Sequence, residues 1–217
     1  MMDNEQVVNW ILDNKFVAIV RRVAPSNIVQ LAHALYDGGI RSLEVTFDQA
    51  SPTCISDAME SIIMVHAEFG GDMLVGAGTC LTSEQVQAAY DAGAYYILSP
   101  DTNVDIIHKV KNLGLVSIPG AMTPTEVLTA WNAGADIVKL FPAGFLGFDY
   151  YRSIRRPINH VPMMAVGGVN LGNAREFLDL GFTSCGLGSG LANPLLVKEG
   201  RFDEITEKAR AFVSLLD

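Results

Sequence analysis

The chain has 217 residues, of which 49% are apolar and 18% are charged, and this composition excludes a disordered protein. Its formal net charge of −9 argues against nucleic acid and against an anionic membrane as the main partner. No linker or low-complexity segment interrupts the sequence, so we expect one domain over residues 1–217.

Nothing in the sequence indicates export or membrane insertion. The N-terminus is acidic rather than basic, and no apolar run approaches the ~18 residues that a membrane helix needs. The three cysteines are few and widely spaced, which is typical of reduced thiols. We therefore expect a soluble, cytoplasmic protein.

A repeated unit runs along the chain: a helical stretch, then a glycine, then a short apolar strand about three residues later. A continuous apolar run indicates a strand buried on both faces of a parallel sheet. The glycines that mark the unit are Gly39, Gly71, Gly93, Gly114, Gly134 and Gly181. In chain order, the predicted strands are FVAIV, SLEVT, LVGAG, YILS, VSIP, IVKLF, MMAV and CGLGS.

Eight strands that alternate with helices predict a (β/α)8 barrel, or TIM barrel, near the short end of that fold's range. The alternative is a doubly wound open sheet, which usually begins with a glycine-rich turn after its first strand. Here RRVAPSN follows the first strand and contains no glycine. Residues 3–14 predict an extra N-terminal helix that could cap the barrel bottom, with one apolar face formed by Val7, Trp10, Ile11 and Leu12.

Two charged residues interrupt apolar strands: Glu44 in SLEVT and Lys139 in IVKLF. The second and sixth strands lie opposite each other in a ring of eight, and both can place inward residues in one layer. We therefore predict that Lys139 and Glu44 nearly meet inside the barrel, with space for something small between them. The alternative is a buried ion pair with a purely structural role.

This pair predicts covalent chemistry at a ketone. Burial favours the neutral amine of lysine, which attacks ketones and forms a Schiff base, whereas a neighbouring glutamate favours the cation. The sequence leaves open which effect is larger. Glu44 is placed to act as a general acid or base beside the iminium. The alternative functions are a phosphate-binding isomerase or synthase, in which Lys139 is a fixed cation, and a non-catalytic ligand-sensing barrel.

Two glycine-rich segments end the last two strands, AVGGVN at 165–170 and GLGSG at 186–190. Exposed backbone N–H groups in such turns bind phosphate, and barrels often place a phosphate site after these strands. We therefore expect a phosphate site there, although tight turns also need glycine. The candidate residues are Gly167, Gly168, Gly188 and Ser189.

Two more positions offer contacts to a substrate. Arg21 and Arg22 follow the first strand, and one of them can bind a carboxylate through two hydrogen bonds, the alternative being a solvated or helix-facing arginine. Strand alternation does not fix which of the two faces inward, and we take Arg21 as the candidate. Thr79 presents a hydroxyl at the end of the third strand, where a tight turn is the alternative. The histidines at positions 33, 66, 108 and 160 show no ligand spacing, so we predict no metal site.

Several motifs occur together along the chain: LEVTF, VGAGT, ILSP with Pro100, SIPGAMTPTE, VKLFPA with Phe141, AVGGV and GLGSGL. Together they resemble the bacterial 2-keto-3-deoxy-6-phosphogluconate (KDPG) and 4-hydroxy-2-oxoglutarate (KHG) aldolases, a family that includes phosphogalactonate aldolases. The resemblance spans roughly residues 5–213 and implies a homotrimeric class I aldolase of carbohydrate metabolism, as in the Entner–Doudoroff pathway, without a cofactor.

The resemblance also implies roles for the site residues. Lys139 would form the Schiff base with the substrate ketone, and Glu44 would move protons through a water molecule. The products would be pyruvate and glyceraldehyde 3-phosphate, or pyruvate and glyoxylate from 4-hydroxy-2-oxoglutarate. Thr79 and Arg21 would contact the pyruvate end, the two glycine-rich turns would hold the phosphate, and Pro100 and Phe141 would join the substrate-binding residues.

Two positions depart from the family pattern. Some members carry a carboxylate-binding arginine two residues after LEVT, where this chain has Asp48, so Arg21 is expected to take that role. Many KDPG aldolases carry threonine where this chain has Val166, whereas phosphogalactonate aldolases can carry valine there. The configuration accepted at C4 of the substrate is therefore open.

Overall fold

The computed structural model of the chain describes residues 2–216. Its centre is a sheet of parallel strands in which each neighbouring pair is hydrogen-bonded. The strands are β1 (Phe16–Val20), β2 (Ser42–Thr46), β3 (Leu74–Gly78), β4 (Tyr96–Leu98), β5 (Val116–Ile118), β6 (Gly120–Ala121), β7 (Val138–Leu140), β8 (Met163–Val166) and β9 (Ser184–Leu187). The ring that they form confirms the predicted (β/α)8 barrel.

The fifth strand of the barrel is divided into β5 and β6 at Pro119. β5 pairs with β4 and β6 pairs with β7, both in parallel. Proline has no N–H to donate to a neighbouring strand, but the Pro119 carbonyl still accepts the N–H of Lys139 at 2.9 Å. The chain itself therefore closes the ring, and the segment predicted as one strand is a strand in two parts.

Helices surround the strands in the predicted alternation. Within residues 2–216 the α-helices are α1 (Asn4–Asn14), α2 (Ile28–Asp37), α3 (Cys54–Phe69), α4 (Ser83–Asp91), α5 (Val104–Asn112), α6 (Pro124–Asn132), α7 (Phe148–Arg155), α8 (Ala174–Asp179), α9 (Pro194–Lys198) and α10 (Phe202–Val213). The six glycines that marked the repeat all have φ between 73° and 108°. This left-handed conformation, which glycine adopts without steric cost, turns the chain from each helix towards the next strand.

Side chains alternate along each strand between the barrel interior and the helical layer. On β2, Leu43 and Val45 pack in the outer hydrophobic cluster, so Glu44 between them points into the barrel. On β7, Val138 and Leu140 pack outward, and Lys139 points inward. The alternation therefore places both charged groups in the interior, as the sequence predicted.

The N-terminal helix closes one end of the barrel. Val7 and Ile11 are buried in the same cluster as the interior residues Val17 and Ile137. Burying each of these two helix side chains contributes roughly 1.5–3 kcal/mol. The indole N–H of Trp10 donates to the Arg41 carbonyl at 3.0 Å, which fixes α1 against the barrel. With this end filled, a ligand enters from the C-terminal ends of the strands.

Candidate active site

A cavity of about 460 Å³ opens at the C-terminal ends of the strands. It is lined by nearly all of the site residues expected from the sequence. These are Lys139, Arg21, Thr79, Pro100, Phe141, Gly167, Gly168, Gly188 and Ser189. Glu44 is the exception, since it lies deeper in the barrel and does not line this cavity.

Lys139 is buried, with 4% of its surface exposed, yet its side chain reaches the cavity. Its Nζ lies 5.1 Å from the centroid of the Phe141 ring, and no carboxylate oxygen of the described residues lies within 4.0 Å of it. Burial lowers the pKa of Lys139, and this effect outweighs the neighbouring Glu44, which raises it. Of the two opposing effects that the sequence left open, burial is therefore the larger.

Glu44 is completely buried, and neither oxygen of its carboxyl group has a hydrogen-bond partner among the described residues. Burial raises its pKa, while the charges of Lys139 and Arg21 lower it. Glu44 and Lys139 therefore act on each other's pKa without forming an ion pair. A purely structural salt bridge does not have this geometry, because its partners would lie in direct contact.

The position of Glu44 depends on two small residues of β3. The carboxyl group occupies the space that a side chain at Gly78 would fill. Two positions earlier, the ring of Tyr96 lies against Gly76, and its hydroxyl donates to the carbonyl of Leu43 at 2.8 Å. Sequence reasoning missed Tyr96, because a tyrosine inside an apolar strand looks like any other core residue.

The two glycine-rich turns form one side of the cavity. Gly167 and Gly168 have φ of 88° and 78°, and the Gly144 N–H donates to the Gly167 carbonyl at 2.6 Å. The backbone N–H groups of Gly168, Gly188 and Ser189 donate to no other group within residues 2–216. The three residues line the cavity, and unpaired backbone donors at a cavity wall suit an anion.

The remaining predicted residues lie around the rim. Thr79 has a left-handed φ of 57°, which is rare for threonine, and its carbonyl accepts the side-chain N–H of Gln49 at 2.9 Å. Arg21 acts electrostatically on both Glu44 and Lys139. Arg22, the alternative arginine at the end of the first strand, also lines the cavity, and its Nε lies 3.7 Å from Asp48 Oδ2.

Two kinds of feature are absent from residues 2–216. No three His, Cys, Asp or Glu side chains come together there in a way that could hold a metal ion. No helix there combines the length and the apolar character needed to cross a bilayer.

A (β/α)8 barrel with a buried, cavity-facing lysine of lowered pKa and an acidic partner defines an enzyme built for covalent chemistry at a carbonyl group. Residues 7–208 match the family described as KDPG and KHG aldolase, and the chain belongs to this family. It is therefore an aldolase, a carbon–carbon lyase of the class I type, which disfavours the isomerase, the synthase and the sensing barrel.

Proteins of similar sequence or structure match nearly the whole chain. A 2-dehydro-3-deoxy-phosphogluconate aldolase of Treponema pallidum is 35% identical, over 88% of this chain and 89% of that protein. A 2-dehydro-3-deoxy-6-phosphogalactonate aldolase of Escherichia coli is 31% identical, over 95% and 96%. The structure of a Legionella pneumophila KDPG aldolase, with pyruvate captured as a covalent carbinolamine, is 26% identical with a TM-score of 0.84, over 94% and 97%.

Proposed function

We propose that this enzyme cleaves a 2-keto-3-deoxy-6-phospho sugar acid to pyruvate and glyceraldehyde 3-phosphate through a Schiff base on Lys139. The observation that carries the proposal is the state of Lys139, whose amine is buried, unpaired and open to the cavity. A lowered pKa increases the fraction of neutral amine, whose free electron pair attacks a ketone.

The reaction begins with attack of the Lys139 amine on C2 of the substrate. Loss of water from the carbinolamine gives an iminium. The Glu44 carboxylate takes the proton of the C4 hydroxyl through a water molecule, the C3–C4 bond breaks, and its electron pair forms the enamine. The new aldehyde leaves, and the protonated Glu44 returns the proton to C3. Hydrolysis of the resulting iminium releases pyruvate and restores the amine.

A buried carboxyl group suits this two-way proton transfer. Because burial raises the pKa of Glu44, the protonated state is more accessible than for a glutamate in water. The same group can therefore accept a proton during bond cleavage and return it afterwards. The absence of fixed hydrogen-bond partners among the described residues leaves both oxygens available for this transfer.

The cavity offers a different environment at each end of such a substrate. We assign the substrate's carboxylate and ketone to Arg21 and Thr79, which line the same cavity as Lys139. Pro100 and Phe141 would pack against the apolar carbons of the pyruvate part. The phosphate would then lie on the free N–H groups of the two glycine-rich turns. The same keto-acid end would accept 4-hydroxy-2-oxoglutarate, giving pyruvate and glyoxylate.

On the family resemblance we also propose a cytoplasmic homotrimer. The three free cysteine thiols support a reducing compartment. Phe145, with 79% of its surface exposed, and Leu195, with 59%, are apolar side chains that a subunit interface would cover. Light scattering of the purified protein measures the oligomeric state.

Borohydride reduction in the presence of pyruvate tests the central step. We expect one covalent adduct per chain, located on Lys139 by peptide mass spectrometry, and no adduct in Lys139→Ala. Lys198→Ala is the matched control, because Lys198 is exposed and lies outside the cavity. An adduct that persists in Lys139→Ala, or no adduct in folded wild-type protein at saturating pyruvate, would contradict the proposal.

A further inference from the structure

Two consecutive arginines, Arg21 and Arg22, line the same cavity. Regular alternation does not allow this, because successive side chains of a strand point to opposite sides. Ile19 faces the barrel interior and Val20 the helical layer, so an extended chain would direct Arg21 inward and Arg22 outward. Arg22 instead has a left-handed φ of 56°, which ends the extended segment and keeps its side chain at the cavity.

Strand pairing places Arg22 beside one of the two glycine-rich turns. β1 and β9 are parallel neighbours, with Ala18 opposite Leu187. Continuing this register by count brings Arg21 opposite Gly190 and Arg22 opposite Leu191, at the end of this turn. Arg22 also lines a second recess together with Pro194, the first residue of α9. The side chain therefore lies at the phosphate end of the cavity.

The guanidinium of Arg22 is available to a ligand. Its side chain is 72% exposed, and its one ion pair in the described chain is the long 3.7 Å contact of Nε with Asp48. No Arg22 nitrogen donates a hydrogen bond to another described residue. A planar guanidinium with free N–H groups is suited to bind two oxygens of a phosphate at once. Binding of a phosphate also needs a local cation, because the chain as a whole carries a net charge of −9 and repels anions.

We propose that Arg22 binds the terminal phosphate of the substrate and makes the enzyme selective for phosphorylated keto acids. This inference rests on the proposed function. Arg22 supplies the charge at this subsite, and the free N–H groups of the turns supply the remaining hydrogen bonds. Arg21 serves the opposite end, since its charge acts on Glu44 and Lys139 in the interior.

Steady-state kinetics of Arg22→Ala test the assignment with two substrates, the 6-phosphorylated six-carbon keto acid and the same acid without its phosphate. We expect kcat/KM for the phosphorylated substrate to fall about 10- to 100-fold, mainly through KM, because a charge-assisted contact is lost. The unphosphorylated substrate should be unaffected. Arg22→Lys, which keeps the charge but not the planar fork, should retain part of the preference.

Lys198→Ala is the matched control, because it removes one positive charge from the neighbouring recess without touching the catalytic cavity. It should leave both substrates unchanged. Equal losses for both substrates in Arg22→Ala, or an equal loss in Lys198→Ala, would overturn the proposal. The first result would place Arg22 at the keto-acid end, and the second would reduce its effect to general surface charge.

A direct binding measurement separates this inference from the proposed function. Calorimetric titration with inorganic phosphate should show binding to the wild type that weakens about 10- to 100-fold in Arg22→Ala. Pyruvate trapping on Lys139 should proceed equally in both proteins. Failed trapping alone would overturn the aldolase chemistry, whereas unchanged or undetectable phosphate binding would overturn only the role of Arg22.

Discussion

Gly78 on β3 allows a test of Glu44 that leaves every reactive group chemically unchanged. A Cβ atom at this position would overlap with the carboxyl group of Glu44, since Oε1, Cδ and Cγ all lie closer than the 3.0 Å that real Cβ contacts respect. Gly78 does not need a left-handed backbone, so the Gly78→Ala substitution acts through this overlap. The carboxyl group must move away from β3.

The expected loss follows from how far the acid–base group is displaced. General acid–base catalysis contributes about 10²–10⁴-fold, and a misplacement of about 1 Å can cost about 10²-fold. We therefore expect kcat of Gly78→Ala to fall about 10²-fold. Because Glu44 is completely buried, the same overlap should lower the free energy of unfolding by about 1–3 kcal/mol.

The assay measures pyruvate release from the phosphorylated keto acid and, separately, borohydride trapping of pyruvate on Lys139. Gly78→Ala should lose turnover and keep trapping, and Glu44→Gln should set the lower limit of turnover. Urea denaturation shows whether each variant is folded. Folded Gly78→Ala protein with wild-type kcat would refute the view that Glu44 must occupy its observed position for catalysis.

Two more predictions concern the reacting amine and the substrate. Trapping requires the neutral amine, so its rate should rise with pH and level off below the ordinary lysine pKa of 10.5. Glu44→Gln removes a charge that raises the pKa of Lys139, so this variant should move the midpoint of the pH–rate curve to lower pH. A midpoint at or above 10.5 would contradict this assignment. Val166 lines the cavity, and Val166→Thr adds a hydroxyl near the expected position of the substrate's C4. The ratio of kcat/KM for the two C4-epimeric substrates should therefore shift about tenfold towards the gluconate series. An unchanged ratio would remove Val166 from substrate selection.

Much of the barrel could be predicted because its signals are local. A glycine after each helix and an apolar run after each glycine depend only on neighbouring residues. The same is true of the inward direction of Glu44 and Lys139, which each lie between two outward-packed residues of the same strand. Strand alternation is a property of the extended backbone, so a charged residue in such a strand already shows which face it occupies.

The division of the fifth strand at Pro119 could not be predicted from the sequence. Both halves carry apolar residues, and their separate partners, β4 and β7, lie on opposite sides. Only the closure of the ring decides which half pairs with which neighbour. The position of Tyr96 under Glu44 likewise results from the register between β3 and β4, where Gly76 leaves room for the ring.

The sequence by itself determined the repeating helix–glycine–strand unit, the barrel and the inward placement of the lysine and the glutamate. Only the tertiary structure decided that Lys139 and Glu44 stay apart, that burial dominates the pKa of the amine, and that Arg22 joins Arg21 at the cavity. The physical reason is that these properties depend on distances between residues far apart in the chain. At Arg22 they also depend on a left-handed φ, which breaks the alternation on which the sequence argument relied.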